Sequence, residues 1–194
     1  MASGEDKQAL YGNINASPDD WIKLACAVAT ESVCSGCGPF GAVMVQIDDE
    51  TGKVIRHWED HNRVAEYNDP TAHAEISIIR QVCKELGVFH LNAIPMERSN
   101  LMQPGNFSHC ELYSSCEPCP MCYAAIRWAQ ITALTFAATR FDADEYGFSD
   151  LAIYKELEQS YESRELKIRH TVFPAFIRFI GYHLFGRNNN IKIG

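Results

Sequence analysis

Two stretches of the chain, Asn68-Asp-Pro-Thr-Ala-His-Ala-Glu75 and Ser115-Cys-Glu-Pro-Cys-Pro-Met-Cys122, place reactive side chains where predicted helices begin. In the first stretch, Thr71 offers a capping hydroxyl to a helix predicted over residues 72–86, where apolar residues recur at helical spacing. In the second, the prolines favour a helix that begins near residue 118 and continues to about 129. Both motifs are therefore expected at helix N-termini.

Helices and strands alternate through the rest of the chain. Ser17-Pro-Asp-Asp20 predicts a helix start, with Ser17 as the cap and Pro18 at the first helical position, and this helix runs to about Ser35. The other predicted segments are a strand at 41–47, a turn at 48–52, a partner strand at 53–58, a loop at 92–108, and strands at 110–114 and 131–138. Such alternation predicts an α/β layered domain.

Length and composition predict one soluble domain over residues 1–194. The chain is 46% hydrophobic, which is enough to bury a core at this length. The polar N-terminal residues contain no apolar export signal, and no run of about 18 apolar residues predicts a membrane span. Eight cysteines in such a chain indicate reduced thiols or metal ligands rather than disulfides, so we expect a cytoplasmic protein.

The charge is distributed unevenly. The formal net charge is −8, which repels a phosphate backbone at long range and argues against nucleic acid as the main partner. From Arg164 onward, however, six basic side chains face one acidic residue, Glu165, so this tail carries +5 and the rest −13. The basic tail keeps a nucleic-acid partner open as an alternative.

His73, Cys119 and Cys122 form a predicted metal site. Neither a lone His-x-Glu nor a single Cys-x-x-Cys is specific, but the combination, with proline before the first cysteine, is the signature of zinc deaminases. Two thiolates and one imidazole suit zinc, and three protein ligands leave its fourth position open for water, as catalytic sites require. We therefore expect one zinc ion per chain.

Glu75 is predicted to move protons rather than to bind the metal. It follows His73 by two residues, which turns its side chain by about 200° from the direction of the ligand on a helix. A carboxyl in that position can take a proton from the attacking water and deliver it to the departing amine. A non-catalytic zinc module would need a fourth ligand and would have no use for Glu75.

The other cysteines offer a weaker alternative. Cys34 and Cys37 have the spacing of a metal-binding pair, but a structural zinc would require two further ligands. Cys116 is expected to pack at the end of a strand, and Cys26 and Cys83 to act as small apolar residues within helices.

The chain resembles the cytidine deaminase-like superfamily, whose three-layer α/β/α fold has a central mixed sheet. Within that superfamily, Gly38–Val43, Asn68–Glu75 and Ser115–Cys122 are similar to bacterial guanine deaminases, and the similarity covers roughly residues 18–160. The resemblance implies zinc-dependent hydrolysis of guanine to xanthine and ammonia, with a small purine as substrate and a homodimer as the assembly.

The resemblance also implies substrate-binding residues. Asn62 would bind the purine, and Asp150 would accept hydrogen bonds from the ring N–H and the amino group of guanine, which adenine cannot offer as a pair. Phe40 would supply an aromatic wall, and the backbone at Ala74 and Cys119 would donate hydrogen bonds. Without the resemblance, Asn62 reads as a loop-stabilising side chain and Asp150 as a helix cap.

Several alternatives remain open at this point. A tRNA adenosine deaminase shares the metal motif, and guanosine, cytosine or an aminotriazine could replace guanine as the substrate. Residues 161–194 do not match the usual family ending and could form a lid or a dimerisation element. Its apolar stretch 173–185 predicts a helix docked on the core or on a partner rather than on a membrane, and Tyr182 or Phe185 could close the pocket.

Overall fold

The computed structural model describes residues 10–12, 14 and 18–171. The predicted cap Ser17 and the tail residues Tyr182 and Phe185 lie outside the described residues. The chain divides into two compact units, residues 1–154 and 155–194, and the candidate site described below belongs to the first. A single domain over the whole chain stays a prediction. No helix in the described ranges is long and apolar enough to cross a bilayer.

Six helices and five strands make up the described fold. The helices are α1 (Asp20–Cys34), α2 (Val64–Tyr67), α3 (Ala74–Leu86), α4 (Pro120–Trp128), α5 (Arg140–Glu145) and α6 (Leu151–Leu157). The strands are β1 (Gly41–Asp48), β2 (Val54–His61), β3 (Ile94–Pro95), β4 (Phe107–Cys116) and β5 (Leu134–Ala138). Two short 3₁₀ turns, Met96–Arg98 and Tyr161–Ser163, complete the described elements.

The strands form one mixed sheet in which β4 is central. β1 pairs antiparallel with β2 on one side and with β4 on the other. The far side of β4 pairs antiparallel with β3 at one end and parallel with β5 at the other. The parallel pair ends beside the Ser115–Cys122 motif, because Cys116 is opposite Ala138. The expected mixed sheet is confirmed.

Helices cover both faces of the sheet. Alternation along β1 sends Ala42 and Met44 into a core with α3 and α4, and Val43 and Val45 into a second core with α1. α1 approaches closely at Gly41, where a Cβ would lie 2.5 Å from the backbone oxygen of Ala25. The structure therefore confirms the three-layer α/β/α architecture.

Several predicted element boundaries shift. The first helical residue of α1 is Asp20 rather than Pro18, and the cap is Asp19, whose carboxylate accepts from the backbone N–H groups of Trp21 and Ile22. The prediction that Thr71 caps α3 is wrong, because His73 occupies that position. The backbone N–H and the hydroxyl of Thr71 both donate to Asp69, so Thr71 belongs to the preceding turn.

The predicted loop at 92–108 is partly ordered by pairing. It contains β3 and a 3₁₀ turn, and β4 begins at Phe107 rather than at residue 110. The side chain of Gln103 donates to the backbone oxygen of Ile94 and joins a buried set with Gln46 and Ser108. β5 begins at Leu134 instead of residue 131. Polar side chains from distant segments fix this loop, which local periodicity does not reveal.

Candidate metal and substrate site

Three predicted ligands meet where α3 and α4 begin. His73 is the residue before α3, and Cys119 is the residue before α4, with Pro120 at the first helical position. The Nδ1 atom of His73 lies 3.6 Å from Sγ of Cys119 and 3.5 Å from Sγ of Cys122. Sheet pairing and the two helix starts therefore bring together residues almost fifty positions apart in the chain.

The spacing of these atoms fits zinc. Bonds of about 2.3 Å to sulfur and about 2.0 Å to nitrogen at tetrahedral angles put the nitrogen and sulfur atoms about 3.5 Å apart. The observed distances of 3.5 and 3.6 Å match that value. The donor set, with two sulfurs and one imidazole nitrogen, also suits zinc and leaves one coordination position free.

The environment favours a thiolate at this group. A hydrogen bond from the Cys122 thiol, together with His73 and the backbone N–H of Cys122, lowers the pKa of Cys119 to about 4. The Cys119 thiolate and burial in turn raise the pKa of Cys122. A divalent cation among these atoms would favour deprotonation of both thiols, because metal binding requires thiolates.

Glu75 lies in the first turn of α3 and is only 6% exposed. Burial raises the pKa of its carboxyl, and the negative charge of Cys119 acts in the same direction. The hydroxyl of Ser114 donates to Oε1 at 3.1 Å and orients the group. Glu75 is thus a buried carboxyl that holds a proton more strongly than a glutamate in water does, which suits a group that transfers protons.

A cavity of about 620 Å³ opens beside these residues. His73, Glu75 and Cys119 border it, together with Asn62, Asp150 and Phe40. Its size is within the usual range of small-molecule sites. Five predicted site residues from five parts of the chain therefore share one cavity with Glu75.

Asp150 precedes α6 and lies at the wall of the cavity. Its backbone oxygen accepts from the N–H groups of Ile153 and Tyr154, as the start of a helix requires. The Oδ1 atom, however, is buried and has no hydrogen-bond partner within the described ranges. Burial raises the pKa of the Asp150 carboxyl, and the charge on Cys119 adds to this effect. A buried acceptor without a partner in the described part of the protein is available for a hydrogen bond from a ligand or a water molecule.

Asn62 follows β2 and is 8% exposed. Its Oδ1 accepts from the backbone N–H of Val64 at 3.2 Å, so the side chain does stabilise the turn into α2. That hydrogen bond also fixes the orientation of the amide, with the NH₂ group as the remaining donor. This geometry agrees both with a role for Asn62 in stabilising the loop and with a role in binding the purine.

Of the two remaining predicted substrate residues, Phe40 borders the cavity and Ala74 does not. Phe40 borders the cavity and packs edge-to-face on Phe148, with ring centroids 5.3 Å apart. Ala74 has a fully buried side chain in the first turn of α3 and is not one of the cavity's lining residues. Its role as a backbone donor stays a prediction.

The sequence did not predict a charged network that lies at the cavity. Glu117 accepts from the backbone N–H of Arg140 at 2.9 Å and from its guanidinium, and Tyr11 donates its hydroxyl to the same carboxylate. The guanidinium stacks on the ring of Tyr154, 3.5 Å from the ring centroid. The position of Glu117 inside the Cys-Glu-Pro-Cys motif indicated that this residue lies near the site. No sequence pattern, however, predicts that Glu117 pairs with Arg140.

Cys116 takes the expected place at the end of β4. Its thiol is buried at the cavity wall, and burial raises its pKa to about 12. Cys26 and Cys83 lie within α1 and α3, as predicted, and burial raises the pKa of each. These three thiols are not members of the group formed by His73, Cys119 and Cys122.

Comparison with family models and curated proteins is consistent with this geometry. Residues 16–138 match the model of the cytidine and deoxycytidylate deaminase zinc-binding region. Guanine deaminase from Bacillus subtilis is 42% identical over 149 residues, which cover 76% of this chain and 81% of the relative. A tRNA-specific adenosine deaminase from Aquifex aeolicus is 32% identical over 118 residues, which cover 61% of this chain and 64% of the relative.

A solved structure agrees with the fold as well. The X-ray structure of Bacillus subtilis guanine deaminase superimposes with a TM-score of 0.69. That alignment covers 91% of this chain and 98% of the other, at 36% identity. The structural alignment extends over more of the chain than the sequence alignment does.

Proposed function

The chain belongs to the cytidine and deoxycytidylate deaminase zinc-binding family, and from that membership we propose that it hydrolyses guanine to xanthine and ammonia. One observation carries this proposal. A single cavity adjoins the His73, Cys119 and Cys122 group and is bordered by Glu75 and by Asp150, whose Oδ1 has no hydrogen-bond partner in the described part of the chain. The metal group and Glu75 suit the hydrolytic deamination of a base, and the free acceptor on Asp150 suits the selection of one base over another.

The proposed roles at the reacting carbon follow from residue type and position. His73, Cys119 and Cys122 hold zinc, which when bound supplies the Lewis acidity that makes water nucleophilic near neutral pH. Glu75 takes one proton from the water as the C–O bond forms and passes it to the neighbouring ring nitrogen. It then carries the second proton to the amino group, which leaves as ammonia when the C–N bond breaks.

Substrate choice is assigned to Asp150 and Asn62. The carboxylate of Asp150 accepts hydrogen bonds from the ring N–H and the amino group of guanine, while the amide of Asn62 donates to an acceptor on the purine. Phe40 packs along the cavity wall against the ring. Adenine would leave the buried carboxylate without a matching pair of donors, and such a mismatch costs about 1–3 kcal/mol.

The experiment is ammonia release from a panel of amino-bearing substrates. Zinc-loaded protein is given guanine, guanosine, adenine, cytosine, cytidine and a tRNA anticodon stem-loop at matched concentrations. We expect the largest kcat/KM for guanine, with little turnover of adenine. No turnover of guanine together with turnover of the stem-loop would replace this proposal with a tRNA adenosine deaminase.

The tRNA-directed alternative has one supporting feature, the basic tail. Residues from Arg164 onward carry a formal charge of +5, but the rest of the chain, including the candidate site, carries −13. That distribution disfavours a polyanionic substrate at the cavity, where Asp150 would add to the repulsion. The stem-loop in the panel tests this argument directly.

The expected assembly and location belong to the same proposal. We propose a role in cytoplasmic purine metabolism, because the proposed substrate is a small free purine base, and a homodimer, as the resemblance to bacterial guanine deaminases implies. Size-exclusion chromatography with light scattering measures the assembly. A monomer at working concentration with full activity would remove the homodimer from the proposal.

A further inference from the structure

A second group of metal-binding side chains lies outside the candidate site. Cys37, His61 and Glu66 each offer one ligand atom, and these atoms lie within 4.8 Å of one another. The three residues border a separate surface cavity of about 490 Å³. They come from three segments: the turn after α1, the end of β2, and α2.

Cys37 is held in place by the end of α1. The backbone N–H of Cys37 donates to Ser32 O at 3.0 Å, and that of Gly36 donates to Val33 O at 3.0 Å. Gly36 has a φ of +79°, the left-handed conformation that this helix ending requires. These paired hydrogen bonds fix the backbone at Cys37.

His61 and Glu66 are positioned by short-range backbone structure. His61 is the last residue of β2, and Glu66 lies on α2, which begins three residues later. The Nε2 atom of His61 is 3.9 Å from Oε2 of Glu66, and its Nδ1 atom is 4.0 Å from Oδ1 of Asp60. One ring nitrogen is therefore on the side of the cluster, and the other is on the side of a carboxylate beyond hydrogen-bond distance.

Arg63 competes for Glu66 in the absence of a cation. Its Nη1 lies 2.7 Å from Oε2 of Glu66, and its Nε lies 2.7 Å from Oδ1 of Asp60. Because Asp60 also pairs with the guanidinium, Arg63 keeps a buried partner when Glu66 turns one oxygen toward a cation. The competing ion pair lowers affinity without excluding binding.

We propose that Cys37, His61 and Glu66 form a second, exchangeable site for a divalent cation of the zinc class. A thiolate, an imidazole and a carboxylate together match the borderline softness of zinc, whereas magnesium and calcium prefer oxygen ligands. Water completes the coordination, because the side chain of Glu66 is 44% exposed. Exposure and the loosely spaced atoms make this site weaker than the one at His73.

The structure thereby changes the partner expected for Cys37. Sequence spacing pairs Cys37 with Cys34, but Cys34 is an exposed residue in the last turn of α1 and is not a member of the group. Two residues of the group are also the sequence neighbours of residues that border the larger cavity. Cys37 precedes Gly38, and His61 precedes Asn62, and both of those neighbours border the larger cavity. The inference concerns metal binding alone and does not depend on the identity of the substrate.

Zinc content at controlled free zinc tests the site. Reduced, zinc-loaded wild type, Cys37→Ser, His61→Ala and the matched control Cys34→Ser are dialysed against buffered free zinc over a range of concentrations. We expect two zinc ions per chain in wild type and Cys34→Ser at the upper end, and at least a tenfold weaker second binding step in Cys37→Ser and His61→Ala. Retention of the first zinc shows that each variant is folded.

A cadmium titration of the zinc-loaded proteins reports the ligand type. A thiolate-to-cadmium absorption band that is present in wild type and Cys34→Ser, and reduced in Cys37→Ser, supports the assignment. Wild type that binds a single zinc at every concentration overturns it. So does a Cys34→Ser variant that loses the second zinc as fully as Cys37→Ser, since the ligands would then be the two cysteines.

Discussion

Glu75 illustrates how the surroundings set the chemistry of one side chain. The carboxyl is buried, and burial raises its pKa, while the hydroxyl of Ser114 holds Oε1 in one orientation. In water the same carboxyl would be ionised at neutral pH and would return a proton poorly. The combination of burial and fixed orientation suits a group that both accepts and donates protons.

Replacing Glu75 with Gln tests this role. The amide keeps the size of the side chain and can still interact with Ser114, but it cannot carry a proton. We expect kcat for deamination to fall about 10²- to 10⁴-fold with zinc content unchanged. Steady-state ammonia release and elemental analysis measure the two quantities. Glu85→Gln, on the same helix, should retain activity, and unchanged turnover in Glu75→Gln would remove Glu75 from the mechanism.

Asp150 is the second residue whose identity carries a prediction. In Asp150→Asn an NH₂ donor replaces one carboxylate oxygen and faces the donors of guanine, so kcat/KM for guanine should fall by about 5- to 150-fold. Zinc content should not change, because Asp150 is not in the metal group. The measurement compares kcat/KM for guanine with the control Asp144→Asn. Equal values for wild type and Asp150→Asn would return Asp150 to a purely structural role.

At the scale of secondary structure elements, Glu117 joins the segment between β4 and α4 to the start of α5. Burial raises the pKa of Glu117, but hydrogen bonds from Arg140 and Tyr11 outweigh burial and hold the pKa below its ordinary value. The side chains of Glu117 and Arg140 are 9% and 18% exposed, so water screens their ion pair only weakly. This ion pair fixes the position of the segment that contains Cys119.

Glu117→Gln should destabilise the protein in a pH-dependent way. Removal of one partner of a mostly buried pair costs about 3 kcal/mol in the free energy of unfolding at pH 7. Because the folded-state pKa of Glu117 is depressed, the wild-type advantage is complete above the ordinary glutamate pKa of about 4.3 and shrinks as the pH falls through the folded value.

Urea denaturation of wild type and Glu117→Gln at several pH values measures this difference. Glu111→Gln, a substitution within β4, serves as the control and should show a smaller loss. A Glu117→Gln deficit that is the same at pH 7 and under acidic conditions would show that the ion pair is not its source.

Local sequence signals predicted the elements more completely than the contacts between them. Glycine after Leu86 and proline after Cys119 mark boundaries of α3 and α4 because backbone conformation is decided there by single residues. The pairing of Glu117 with Arg140 depends instead on β5 lying beside β4, which no local pattern specifies. The metal ligands were predictable because zinc restricts both residue type and spacing.

At the scale of the whole molecule, the metal group links two helices that lie on the same face of the sheet. His73 precedes α3 and Cys119 precedes α4, and both helices pack into the same core. A cation that binds only the folded arrangement of these ligands stabilises the fold by mass action. Metal occupancy should therefore affect stability as well as turnover.

Removal of zinc by a chelator should lower the thermal stability and the rate of ammonia release together. A ligand present at about 1,000 times its Kd contributes about 4 kcal/mol, which for a chain of this size corresponds to a fall in Tm of about 10 °C. Thermal denaturation and ammonia release are followed before and after chelation. Added zinc should restore both, whereas magnesium should restore neither because it prefers oxygen ligands. Full activity in metal-free protein would contradict the assignment.

The most direct test of the central claim is the product formed from guanine in isotopically labelled water. Zinc-loaded protein is incubated with guanine, and xanthine and ammonia are quantified while mass spectrometry follows the label. We expect equimolar xanthine and ammonia, with one labelled oxygen in each xanthine, and conversion by Glu75→Gln that is about 10²- to 10⁴-fold slower. Guanine recovered unchanged from the wild-type reaction, with zinc bound, would contradict it.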